Sequence, residues 1–163
     1  LHGLPGWGVM ESALRSLGGH KGFDAICANG YELMGNSRQM YDTFPLVLLD
    51  GTWMYKHLGE ARQKAFFRQV AEAKQPVAVR SCFGGLALYR VEVWADPRCS
   101  YDRNREGGGS YGLNEMFGAN EGFGANEACE HLRLQNCLRA LREGSSTAPL
   151  RIGIHPRLSA SRG

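Results

Sequence analysis

Long apolar runs are missing. Nowhere do the 163 residues approach the ~18 consecutive apolar positions of a membrane-spanning helix, and the longest such stretch lies at Pro45–Leu49. A charge excess is missing too. The 19 Lys and Arg stand against 16 Asp and Glu, a net +3 with no long run of one sign, so the clustered basic face of a nucleic-acid binder is absent. The five Cys show no CxxC spacing, which sets aside zinc ribbons and thioredoxin-like redox sites. Five is odd, so at least one thiol stays unpaired within the chain. The count suits a reducing compartment as well as an oxidising one with one or two bridges. There is no P-loop, GxGxxG, GxSxG or HExxH. The opening LHGLP has no initiator Met, basic n-region or apolar h-region; it reads as a cut inside a longer chain, not as a signal peptide.

What is present is an ordinary globular composition, 43% hydrophobic and 21% charged, of a length that suits one domain. Val9, Ala13, Leu14 and Leu17 recur at helical spacing and predict a short helix over 7–17, stopped by Gly18-Gly19. Phe23–Ala28 reads as a buried strand closed by Asn29-Gly30. Residues 31–44 read as loop, Leu46–Leu49 as a short strand, and 55–74 as a helix burying Phe66, Phe67 and Val70. Val77–Cys82 and Leu86–Val91 carry strong strand patterns around Phe83-Gly84-Gly85. A glycine pair there permits positive φ or a close main-chain approach. The pentapeptide FGANE occurs at 117–121 and again at 123–127, which marks 103–127 as a flexible, Gly-rich insertion. A helix over 128–142 with Leu132, Leu134, Leu138 and Leu141 on its apolar face follows, then a strand at 150–154 and a polar tail from Arg157.

Taken singly, the chemistry-bearing residues have plain readings. Cys82 sits in a strand pattern with no neighbouring His, which suits a buried structural cysteine better than the nucleophile of an α/β hydrolase. His2, His20 and His57 are isolated and read as exposed. Gly84-Gly85 suits a hairpin turn, Glu130 a first-turn helix residue favoured by the helix dipole, and His155 a surface imidazole.

Their order is more specific. The segments FDAICANG, YDTFPLVLLD, RSCFGGLALYR and CEHLRLQNCL, followed by Ile154-His155-Pro156, resemble the C-terminal half of a GT-A glycosyltransferase domain. More narrowly, they are similar to the cryptococcal-type, capsule-associated mannosyltransferase family and its algal and viral relatives. The likeness covers roughly residues 7–156 apart from the repeat insertion. It implies an α/β fold of Rossmann-like, nucleotide-diphospho-sugar transferase type with flanking helices, lacking its N-terminal part, with 157–163 as a tail.

The resemblance also implies roles. Gly84 and Gly85 match the glycine loop that approaches donor sugar and acceptor. Glu130 matches the catalytic acidic residue at a helix start, which orients the acceptor or serves as general base. His131 beside it reads as structural. His155 matches a late His that completes the coordination of Mn²⁺ or Mg²⁺. Asp24 and Asp42 belong to matching segments, and structural hydrogen bonding suits them equally. The implied reaction is metal-dependent transfer of a hexose, mannose in the named family, from a nucleotide-sugar donor to a glycan acceptor, with retention. The family would put a full-length eukaryotic enzyme in the secretory lumen of the Golgi. GT-A enzymes hold the metal with an Asp-x-Asp, and none occurs here. In relatives it precedes the helix matched to 7–17, so the chain is expected to be a fragment of the catalytic domain. The rival expectation is a non-catalytic binding or scaffold domain derived from such an enzyme. On topology, Gly84, Gly85, Glu130 and His155 are expected to line one concave surface.

Overall fold

The structure, a computed structural model, describes residues 5–18, 22–34, 37–40, 43–54, 60–99, 130–143, 145 and 148–162. His2, His20, Asp42, His57, Cys129 and the 103–127 insertion lie outside the described residues. The chain is mixed α/β and divides into two compact units, 1–90 with 151–163, and 91–150. Among the described residues no helix is long and apolar enough to cross a membrane.

The first unit is built on β1 (Ala25–Ala28), which runs parallel to β6 (Ile152–His155) on one side and antiparallel to β5 (Ala87–Tyr89) on the other. With β4 (Val77–Val79) at the far edge, the sheet order is β4-β6-β1-β5. Side chains alternate across a strand, so β1 splits into two faces. Ile26 and Ala28 meet the helix α1 (Trp7–Arg15) through Ala13, Val9, Met10 and Leu17, with Leu158 closing the cluster. Leu14, expected on this face, is instead exposed, because the stripe passes through Met10. The other face carries Ala25, Cys27, Val79, Ile152 and Ile154, all buried.

The amino end of the sheet is held by Asp24. Its Oδ2 accepts the Arg151 N–H at 2.9 Å, and its Oδ1 lies 3.6 Å from the Arg90 guanidinium. The helix expected over 7–17 stops at Arg15, and α2 (Glu60–Glu72) ends two residues before the expected Lys74, with 55–59 outside the described residues. In α2 only Val70 is fully buried, with Phe66 and Phe67 half-buried. Leu46–Leu49 contributes a single bridge residue, Val47, which pairs with both Trp53 and Ser81.

Two expectations are overturned here. Residues 31–44 are not all loop: β2 (Tyr31–Met34) and β3 (Ser37–Met40) form an antiparallel ladder. The tail is not merely polar. Leu158 is 0% exposed, and β7 (Ser161–Arg162) pairs in parallel with β2. The main chain accounts for the second outcome, since the Tyr31 N–H needs an acceptor and finds it in Ala160 O at 3.0 Å.

The second unit holds the short helix α3 (Val91–Trp94) and the helix α4 (Glu130–Glu143). Leu132, Leu134 and Leu138 are buried, as their spacing predicts, together with Gln135 and Cys137. A disulfide joins Cys137 to Cys99. Arg139 is half-buried and donates to Leu150 O at 3.3 Å.

Candidate functional site at the carboxyl ends of the parallel strands

Ala28, the last residue of β1, is where the expected site residues of the first unit meet. Its register partner on β6 is His155. On the β5 side its N–H donates to Leu86 O at 2.8 Å, which brings the preceding turn, Gly84-Gly85, against it. Both glycines have positive φ, 63° and 82°. A Cβ on Gly84 would collide with the Ala28 carbonyl oxygen, and one on Gly30 with the Gly84 carbonyl oxygen. Both freedoms read from the glycine pair are therefore in use, the close approach being to β1's own main chain. A disulfide, Cys27–Cys82, ties the turn to the same strand.

That bridge removes the α/β-hydrolase reading. A sulfur in a disulfide has no thiolate with which to attack. With Cys99–Cys137, it also leaves one of the five Cys outside a bridge.

His155 is buried, 4% exposed, and its ring is held from both sides. Nδ1 accepts main-chain N–H bonds from Arg157 at 3.3 Å and Leu158 at 3.1 Å. An Nδ1 that accepts places the proton of the neutral ring on Nε2, and Nε2–H donates to Ser12 Oγ at 3.2 Å. Ser12 also accepts from the Arg157 guanidinium at 3.4 Å. A Ser–His pair in this tautomer cannot take the serine proton, so it is no nucleophilic dyad. Burial, reinforced by the Arg157 charge, holds His155 below the ordinary imidazole pKa.

A divalent ion does not fit this arrangement. Both ring nitrogens of His155 are engaged in hydrogen bonds, so the ring as placed offers no free lone pair to a metal ion.

The same edge holds one residue that the sequence reading passed over. Asn29, 4% exposed, spends its N–H on Leu158 O at 2.6 Å, while its Oδ1 is buried without a hydrogen-bond partner. The run AICANG gave only a turn signal there, and an amide oxygen without a partner leaves no trace in spacing.

Glu130 opens α4 in the second unit and is half-buried. His131 beside it is held below the ordinary imidazole pKa by burial, against the opposing pull of Glu130. The structure thus brings Gly84, Gly85 and His155 to one end of the four-stranded sheet, with Glu130 at a helix start in the other unit. Compared with known proteins, the chain matches no family model, no curated protein and no solved structure.

Proposed function

We propose that this chain is part of a GT-A-type hexosyltransferase domain, which acts on a nucleotide-sugar donor and a glycan acceptor. The observation that carries the reading is the glycine turn. Two residues with positive φ, stripped of side chains, lie at the carboxyl end of the parallel pair β1–β6, where open α/β sheets gather their ligands. The segments that resemble the mannosyltransferase family, FDAICANG and RSCFGGLALYR, are the two that meet there. In this reading Gly84 and Gly85 pass beside the transferred sugar, and Glu130 orients the acceptor hydroxyl. Retention follows from the resemblance alone. The Mn²⁺ or Mg²⁺ that neutralises a leaving diphosphate requires oxygen ligands other than the His155 cluster.

The second reading, a binding or scaffold domain without metal chemistry, is favoured by one observation: the imidazole matched to the metal already has both nitrogens in structural hydrogen bonds. A thermal melt with UDP or GDP, with and without MnCl₂, separates the two. Mn²⁺-dependent protection supports the transferase; metal-independent protection supports the binding domain. Absence of any nucleotide effect removes the donor-binding reading.

A further inference from the structure

We propose that Arg157 and Ser12, braced by His155, form a binding site for a phosphate-class anion at the carboxyl end of the β1–β6 pair. The argument begins with hydrogen-bond donors. Ser12 Oγ receives the Nε2–H of His155 at 3.2 Å and a guanidinium N–H of Arg157 at 3.4 Å. Both lone pairs of the hydroxyl are then taken, and its own proton is left to donate. Among the described residues that proton has no acceptor. Arg157 is exposed, and Ser12 takes only part of its fork of donors. Among the described residues its guanidinium has no carboxylate partner. Glu11, the residue before Ser12, is paired with Arg15 instead. Donors therefore converge here without a base to receive them, and the ligand that such a cluster takes is an oxyanion.

The cluster is braced before any ligand arrives. The Arg157 N–H donates to Nδ1 of the same ring whose Nε2–H holds Ser12, and the guanidinium returns to Ser12. These bonds close a circuit between the end of β6 and α1. Pro156 narrows the path into it by fixing its own φ. His155 is buried and lies in register with Ala28, so the circuit rests on two paired strands. An ordinary surface arginine has no such support. Here the main chain of Arg157 is set by the core while its charge stays at the surface, which leaves less freedom to lose on binding. The planar fork matches two oxygens of a phosphate group, and the Ser12 hydroxyl gives a further bond. In the reading above, with or without metal chemistry, the anion is the diphosphate of the nucleotide-sugar donor, and this source rests on that reading. A free phosphate offers the same chemistry. The chain thus supplies a cation of its own at the strand ends, where the imidazole is already spent on hydrogen bonds.

The test is titration with pyrophosphate at low ionic strength and without metal, followed by calorimetry and by the NMR signals of the Ser12 amide and the Arg157 Nε–H. The expected result is saturable binding that shifts both signals, weakened about tenfold or more in Arg157→Gln and a few-fold in Ser12→Ala. Arg157→Lys keeps the charge and loses the fork, so it falls between wild type and Arg157→Gln. Arg151→Gln is the control, an exposed arginine at the other end of β6 whose loss changes net charge equally. It should bind as wild type does. Equal weakening in Arg151→Gln and Arg157→Gln overturns the inference, since binding would then follow net charge alone. So does the absence of saturable binding to wild type. Arg157→Gln removes an exposed side chain and leaves Leu158 and the β1–β6 ladder in place, which the other amide signals report. Titrations with GDP and with inorganic phosphate identify the source. GDP binding that is lost in Arg157→Gln assigns the anion to the nucleotide. Pyrophosphate and phosphate binding with no effect of GDP or UDP keeps the anion site and removes the donor-binding reading. Nucleotide protection unchanged in Arg157→Gln, with pyrophosphate bound no more weakly, keeps that reading and overturns the inference.

Discussion

Gly84 has two independent reasons to reject a side chain. Its φ of 63° lies where an L-residue is strained, and its Cβ position is occupied by the Ala28 carbonyl oxygen. Gly84→Ala should therefore cost about 2 kcal/mol or more, read as a lower urea midpoint with an unchanged m-value. Gly85 shares the positive φ, at 82°, and the β-branched side chain of Gly85→Val is expected to lower the urea midpoint as well. His155 gives a pH signature. Its folded-state pKa is depressed, so the unfolded chain takes up the proton first as pH falls. The stability that depends on the neutral ring is intact above the ordinary value of 6.5 and is lost as pH drops below it. His131 acts in the same direction. Urea unfolding at about pH 7.5 and about pH 5.5 should show the loss, and it should shrink in His155→Gln, which cannot titrate. An equal loss in that variant would assign the effect to His131 or to other groups.

At the scale of elements, Leu158 is the sharpest case. It is wholly buried against Ala13, Ile26 and Ala28, and its own carbonyl and that of Ala160 accept from the Asn29 and Tyr31 N–H groups. Leu158→Ala should cost roughly 2–5 kcal/mol. Truncation after Arg157 should cost more, measured by thermal or urea unfolding. A harmless truncation would return the segment to the status of a tail. This is also where sequence reading reached its limit. β1, β5, β6 and α1 were legible because apolar residues at period 2 or near 3.6 report burial directly. The β2–β3 ladder was missed because Glu32, Arg38 and Gln39 break the apolar pattern, although Gly35-Asn36 between two short runs is a hairpin signal. Two-residue β7 has no side-chain signature at all; only its pairing with Tyr31 and Glu32 defines it. In the site, the glycine pair was visible in the sequence because glycine is locally diagnostic. The partners of His155 were not, since Ser12 lies 143 residues away and the other two bonds come from main chain.

For the whole molecule, the cysteine count that sequence left open resolves into two bridges, spanning 55 and 38 residues. Loops of that length correspond to about 4 kcal/mol each in the chain-entropy picture. Alkylation under native, non-reducing conditions should label at most one of the five Cys, and full labelling should require both reductant and denaturant. Labelling of two or more sites before reduction would contradict the pairing. The parallel register of β1 with β6 has a different consequence, one of timing. Asp24 and Arg151, bonded to each other, are 127 residues apart, and Ala160 and β7 follow later still. As the chain leaves the ribosome, β1 can find β5 and Cys27 can find Cys82 long before β6 exists. The central strand therefore waits with one side unpaired until β6 emerges. Contacts of such separation fold slowly, and during that interval the open edge is free to pair with another nascent chain. Pairing with β5 closes one flank, and the other stays open until β6 arrives.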